Sequence, residues 1–276
     1  VRNQPIGVMD SGVGGLTVVS EIWRQLPREE VLFYGDSARC PYGDRPAAEI
    51  AEFTFRALDF LVEQGVKMLV IACNTATAVC LEWARERYDI PVLGVIAPGA
   101  RAAIAATTNQ RVGIIGTRAT ISSNSYPRAL HLTHRGIATF PVACPQFVSL
   151  VERGITATAE LLPVVADSLR EFSGMNIDTL ILGCTHYPLL ENVIQQALGA
   201  DVTLINSAEE TARDISFVLT DKQLTRTHPA KPNHVFFTSG DVDTFADIGK
   251  RWLGEPISVA YYDLWEGEER SDAAEV

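Results

Sequence analysis

The 276-residue chain carries five cysteines, Cys40, Cys73, Cys80, Cys144 and Cys184. Two of them share a setting. Cys73, in Ala72-Cys73-Asn74-Thr75, and Cys184, in Gly183-Cys184-Thr185-His186, each close an apolar run and open a polar one. A cysteine after an apolar strand is most often a small buried hydrophobe. Two at matching places, both followed by polar side chains, suit reactive thiols better. Thiols on opposite faces of one substrate carbon can invert it: one takes the Cα proton, the other returns a proton to the far face. An unperturbed thiol, with a pKa of about 8.5, is a minor thiolate at neutral pH and needs help. A helix N-terminus is expected after each cysteine and would favour the anion. His186, two residues beyond Cys184, and Asp10 are the candidate assistants. A positioned acid/base contributes ~10²–10⁴-fold, so fixed donors must also hold the carboxylate beside the developing carbanion. Main-chain N–H groups and Ser11 are candidates for that role. Cys40, Cys80 and Cys144 lack a polar context and are read as packing residues.

Two further segments could bind anions. Asp10-Ser11-Gly12-Val13-Gly14-Gly15-Leu16 is a glycine-rich turn after the first strand. Its GxGG pattern has Thr17 where a dinucleotide fingerprint has a third glycine, and it lacks the GK[ST] of a P-loop. A tight strand-to-helix turn explains it, with its N–H groups and Ser11 free to face a carboxylate. Pro41-Tyr42-Gly43 is either a plain turn or a loop whose N–H groups hold an anion.

These residues need elements to position them. Nearly continuous apolar runs mark strands at Ile6–Met9, Val31–Tyr34, Met68–Ala72, Val92–Val95, Val112–Ile115, Thr179–Leu182 and Val202–Ile205, as expected of parallel strands covered on both faces. Ile50, Phe53, Ala57, Phe60 and Leu61 recur at helical spacing between Pro46 and Gly65, as helix punctuation predicts. Alternating strands and helices imply a parallel-sheet α/β architecture. A weak repeat relates Ile6-Gly7-Val8-Met9-Asp10-Ser11 to Val112-Gly113-Ile114-Ile115-Gly116-Thr117. It also relates Met68–Thr75 to Thr179–His186. The offsets, 106 from Gly7 to Gly113 and 111 from Cys73 to Cys184, predict two similar domains in tandem. Ligands of open parallel sheets bind beyond the strands' carboxyl ends. Asp10, Ser11, both cysteine motifs and Thr117 would then meet in one cleft, each domain supplying one thiol.

Composition bounds the alternatives. A net charge of −11 argues against a sequence-independent grip on nucleic acid. No apolar run reaches the ~20 residues of a membrane span, and no signal-peptide pattern opens the chain. A cytoplasmic protein with reduced thiols is expected. Without paired ligand spacing, no zinc site is expected either. The polar, acidic tail Gly267–Val276 is expected to fray.

In combination, Asp10–Thr17, Pro41-Tyr42-Gly43, Ala72-Cys73-Asn74-Thr75-Ala76 and Leu182-Gly183-Cys184-Thr185-His186-Tyr187-Pro188 closely resemble the bacterial glutamate racemases of the aspartate/glutamate racemase family. The resemblance spans about residues 4–265. It implies interconversion of L- and D-glutamate, supplying D-glutamate for peptidoglycan, with no cofactor and no metal. It implies that Cys73 takes the proton from D-glutamate and Cys184 from L-glutamate. Asp10, His186 and Glu152 stand as auxiliary residues beside the thiols. Asp10, Ser11, Pro41, Tyr42, Gly43, Asn74, Thr75, Thr117, Thr185 and His186 match substrate-contacting positions. Gln146 and Ser149 depart from the family's stretch before Glu152. The implied fold is two similar flavodoxin- or Rossmann-like domains, 1–97 plus 207–276 and 98–206, with the site in the cleft between them. The implied assembly is a homodimer acting on a small molecule, without membrane or direct nucleic-acid partners. The rivals are an aspartate or other acidic-substrate racemase, a non-catalytic small-anion binder, and a nucleotide-dependent oxidoreductase. The incomplete glycine fingerprint disfavours the last.

Overall fold

The computed structural model describes residues 1–155 and 157–265. The tail Gly267–Val276 lies outside the described residues. In chain order the elements are β1 Ile6–Asp10, α1 Leu16–Gln25, β2 Val31–Gly35, α2 Ala47–Glu63, β3 Met68–Ile71, α3 Asn74–Arg87, β4 Val92–Gly94 and α4 Ile96–Ala106. The next are β5 Arg111–Gly116, α5 Arg118–Ser122, α6 Ser125–Thr133, β6 Ala138–Ala143, α7 Gln146–Glu152, α8 Thr158–Leu169, β7 Thr179–Gly183, α9 Glu191–Leu198 and β8 Thr203–Ile205. The last are α10 Ser207–Asp221, β9 Val235–Thr238, α11 Val242–Leu253 and β10 Val259–Tyr261.

The strands form a six-stranded sheet in the order β10-β9-β2-β1-β3-β4 and a four-stranded sheet in the order β6-β5-β7-β8. Every pairing in both is parallel. The order β2-β1-β3-β4 repeats as β6-β5-β7-β8, so the sequence repeat has a topological counterpart. β1 is equivalent to β5, and β3 to β7. Cys73 and Cys184 follow equivalent strands.

Alternation along the strands divides each core into two layers. Ile6, Val8, Val31, Phe33, Met68 and Val70 pack against α1, α10 and α11. Met9, Leu32, Tyr34, Leu69 and Ile71 pack against α2 and α3 on the other face. In the second sheet, Ile115, Leu180 and Leu182 meet α7, α8 and α9, while Val112, Ile114 and Ile181 meet α4 and α6. Strands covered on both faces are apolar at every position, which is why they read as continuous runs. α2 buries Ile50, Ala57, Phe60 and Leu61 and stops at Gly65, whose φ of +79° is costly for any residue with a Cβ.

Three strands differ from the sequence reading. β6 is an edge strand of mixed burial with Pro141 inside it, and both features mask the strand pattern. β9 and β10 return to the first sheet after the second is complete. A linear repeat contains no information about that return. Among the described residues, no helix is long and apolar enough to cross a membrane.

Candidate active site

The carboxyl ends of the central strands supply the polar groups. Asp10, the last residue of β1, is fully buried. Its Oδ1 accepts from Gly12 N–H at 3.0 Å, and its Oδ2 from the Thr185 hydroxyl at 3.1 Å. The second bond joins the two sheets. Burial pushes the Asp10 carboxyl up to about 6, although the His186 charge and both hydrogen bonds oppose the rise.

Cys73 is the N-cap of α3. Ala76 N–H donates to its Sγ at 3.5 Å, and its thiol donates to Ser11 Oγ at 3.6 Å. The expected lowering by the helix terminus does not prevail. Burial pushes the thiol up to about 12, Asp10 adds to the rise, and the Ala76 and Ser11 contacts offset only part of it. Cys73 is thus a protonated thiol. The residue after it, Asn74, accepts Tyr126 OH at 2.6 Å through Oδ1, while its buried Nδ2 has no hydrogen-bond partner. An unpaired buried donor is costly and points to an acceptor supplied by a ligand.

Cys184 follows β7, and its Sγ lies 3.7 Å from His186 Nδ1. His186 Nε2 lies 2.5 Å from Glu152 Oε1 at the end of α7. The helix there is intact despite the departures at Gln146 and Ser149. Burial disfavours the charged His186 ring, but contacts with Cys184, Cys40 and Glu152 outweigh it and raise its pKa well above the usual histidine value. Glu152 moves the opposite way: burial would raise it, and the His186 bond carries it below the ordinary carboxylate value. An imidazolium backed by a carboxylate thus stands beside the second thiol. The helix expected directly after Cys184 is a single 3₁₀ turn, Tyr187–Leu190, so His186 and not a helix dipole is the electrostatic neighbour.

The remaining polar groups come from both halves. Thr75 Oγ1 and Thr117 Oγ1 are 2.9 Å apart, and Thr117 caps α5 by accepting Thr120 N–H at 3.2 Å. The Tyr42 hydroxyl donates to Asp36 Oδ2 at 2.7 Å, which fixes the Pro41-Tyr42-Gly43 loop. Gly43 C=O accepts Ala119 N–H at 3.0 Å. A Cβ on Gly43 would lie 2.4 Å from Thr117 Cβ, and one on Gly14 would lie 2.4 Å from Thr185 Oγ1. The glycine-rich turn therefore admits side chains of the other half.

A small cavity lies between these groups. Ser11, Pro41, Tyr42, Gly43, Cys73, Asn74, Thr75, Thr117, Val148, Cys184, Thr185 and His186 line it. All the anticipated substrate-contacting positions except Asp10 face it, with Asp10 one hydrogen bond behind Thr185. No arginine or lysine is among the lining residues. Cys80 and Cys144 are fully buried core residues, as expected. Cys40 packs, half-buried, against the second core as expected, and its thiol also donates to Glu152 Oε1 at 3.7 Å. Asp36, Val148 and Tyr126 were not singled out from sequence. Asp36 had a signal, since it follows β2 as Asp10 ends β1; Val148 and Tyr126 had none.

Comparison with known proteins agrees with this arrangement. A family profile described as Asp/Glu/Hydantoin racemase matches residues 6–215. A glutamate racemase of Oceanobacillus iheyensis is 52% identical over 249 residues, covering 90% of this chain and 91% of the relative. The crystal structure of a glutamate racemase isoform from Bacillus anthracis superposes with a TM-score of 0.92 at 48% identity, over 96% of this chain and 99% of that one. The glutamate racemase of Francisella tularensis, solved with D-glutamate, gives 0.89 at 34% identity over 96% and 99%. Two equivalent strand-end thiols, one shared cavity and similarity along nearly the whole chain place this protein in the Asp/Glu/hydantoin racemase family.

Proposed function

We propose that Cys73 and Cys184 are the two acid/bases of a glutamate racemase, working on opposite faces of Cα in the cavity they share. The activity is the interconversion of L- and D-glutamate. The observation that carries the assignment of the thiols is their equivalence: each follows the same strand of a repeated sheet, and both line one cavity. In the L-to-D direction Cys184 takes the Cα proton and the protonated Cys73 supplies one to the other face. The roles reverse for D-glutamate. His186, held by Glu152, offsets negative charge as it forms on Cys184. Asp10 orders Thr185 and the Ser11–Gly12 turn. Asn74 Nδ2, Ser11 and the Thr75–Thr117 pair offer hydrogen bonds to substrate carboxylates, each charge-assisted bond contributing about 1.5–3 kcal/mol. With no arginine or lysine lining the cavity, such donors must hold both carboxylates of glutamate in a chain of net charge −11.

The proposed division is 1–97 plus 207–276 and 98–206, two units whose strand ends close on the substrate. By the resemblance, the product supplies peptidoglycan, the enzyme works in the cytoplasm, and it assembles as a homodimer. Incubation with each glutamate enantiomer in D₂O tests the chemistry. The expected outcome is loss of optical activity together with deuterium at Cα, undiminished after exhaustive dialysis against chelator. Preserved configuration in both incubations would overturn the reading. Aspartate turnover equal to or faster than glutamate turnover would favour the sister racemase.

A further inference from the structure

Behind the substrate cavity, three donors of different chemistry converge. The Cys40 thiol, a Glu152 carboxylate oxygen and a His186 ring nitrogen lie within 4.8 Å of one another. Cys40 and Glu152 are half-buried and His186 is buried, so solvent reaches one side of the group. Neither Cys40 nor Glu152 lines the substrate cavity. His186 stands between the two regions, with Nδ1 toward Cys184 and Nε2 toward Glu152. Gly12 keeps the adjacent space clear: a Cβ there would lie 3.1 Å from Glu152 Oε1 and 3.2 Å from Cys40 Sγ.

The geometry points to an inhibitory site for a thiophilic divalent cation of the Zn²⁺ class, bound by Cys40 Sγ, Glu152 Oε1 and His186 Nε2. Sulfur, imidazole and carboxylate are the ligand types zinc selects, and a fourth position would remain for water. The Cys40–Glu152 separation of 3.7 Å suits two ligands of one tetrahedral ion. The 2.5 Å His186–Glu152 contact does not, and must open to about 3.3 Å for bonds of ~2.0–2.1 Å. Glu152, whose side chain is 29% exposed, can make that move. Binding releases the Cys40 proton and any proton on Nε2 to solvent, so affinity rises with pH. The ion takes Glu152 from His186 and leaves the cavity wall in place. Its effect, which rests on the racemase reading, is to inhibit racemisation.

The test titrates the full chain with Zn²⁺ against a chromophoric chelator, and with Co²⁺ to detect thiolate ligation by its charge-transfer band. One ion per chain and a thiolate band are expected. Losing an outer partner alone costs ~10–100-fold in metal affinity, so Cys40→Ser should weaken binding by at least ~100-fold and abolish the band. Glu152→Gln, the second variant should Cys40→Ser not fold, should weaken it by at least ~10-fold. Cys73→Ser should keep both affinity and band, and Cys184→Ser, which changes the Nδ1 partner of His186, should keep the band. Unchanged affinity in Cys40→Ser or Glu152→Gln overturns the site. Loss of binding in Cys73→Ser, or loss of the thiolate band in Cys184→Ser, does so too, by assigning the ion to the substrate thiols. Metal binding is read without activity, so a chain that binds Zn²⁺ through Cys40 but does not racemise glutamate refutes only the racemase reading.

Discussion

At the scale of single residues, the two thiols differ although their strands are equivalent. Cys73 is enclosed next to Asp10, which opposes its ionisation, whereas Cys184 faces His186. Cys73→Ser and Cys184→Ser should each nearly abolish racemisation, because a serine hydroxyl of similar size is a far poorer base. Either variant should still eliminate HCl from a β-chloro analogue of glutamate, a reaction that needs one working base. By the family pattern, Cys73→Ser should act on the L-like enantiomer and Cys184→Ser on the D-like one. Cys80→Ala is the control and should racemise normally. Near-full racemisation by a folded Cys73→Ser or Cys184→Ser would refute the two-thiol mechanism. Asp10 permits a stability test. Its pKa rises from 3.8 to about 6 on folding, so below pH ~4 the carboxyl is protonated in both states and costs nothing. Between pH ~4 and ~6 only the folded state keeps the proton, and stability falls as pH rises. Above pH ~6 the full cost of about 3 kcal/mol is present. Asp10→Asn should thus be more stable than wild type at pH 8 by up to that amount, with the gap closing toward pH 4. Denaturant titrations at both pH values would expose a pH-independent gap, which would contradict the burial argument.

At the scale of elements, glycines set how closely the two halves approach. Gly14→Ala would push a methyl against Thr185 Oγ1 and His186 Nδ1, and Gly43→Ala would push one against Thr117. Overpacking of this kind costs about 1–3 kcal/mol. Because the clash falls between halves, opening of the cleft should relieve much of it. We expect a small drop in Tm and a loss of about 10²-fold in kcat/KM, as a displacement near 1 Å in a catalytic site can bring. A large stability loss with normal kcat/KM would show that these turns serve packing alone. The α7 end offers a second test. Burial disfavours a charged His186, and contacts including the Glu152 bond outweigh it, so Glu152→Gln should lower the His186 pKa. In wild type the stability tied to His186 is fully present below about pH 6.5 and is lost as pH rises through its higher folded value. Glu152→Gln should move that loss, and the alkaline limb of kcat, to lower pH. A limb that stays in place would separate Glu152 from the His186 charge.

At the scale of the whole molecule, the chain leaves the first sheet after β4, completes the second, and returns through α10 to add β9 and β10. A buried pair holds the return. Lys67, fully buried, meets Glu29 and donates to the Leu224 carbonyl at 2.9 Å, while Glu29 accepts Arg226 N–H at 2.8 Å. Arg226 also pairs with Glu30 at 2.7 Å. Removing one partner of a buried ion pair leaves an uncompensated charge and costs about 3–5 kcal/mol. Lys67→Met should therefore destabilise the chain by that amount in urea. The site lies at the opposite ends of the strands, so kcat/KM should stay near wild type while the protein is folded. A loss below 1 kcal/mol would mean that the return segment is held by α10 and β9 packing instead.

The sequence by itself determined the strands buried on both faces, because such strands are apolar at every position and the pattern is local. Through the repeat, it also determined that Cys73 and Cys184 end equivalent strands. It could not reveal β6, whose edge position and Pro141 erase the pattern, or the return of β9 and β10. Nor could it reveal the Cys40–Glu152–His186 cluster. Cys40 and Glu152 are 112 positions apart and Glu152 and His186 are 34 apart, so no ligand spacing appears in the chain. Tertiary structure alone decided the ionisation of the site. Whether a carboxyl sits near 4 or 6, or a thiol near 9 or 12, depends on water excluded by residues from the other half and on the charges they bring. Those neighbours are set by the way two sheets face each other, and local sequence does not encode that.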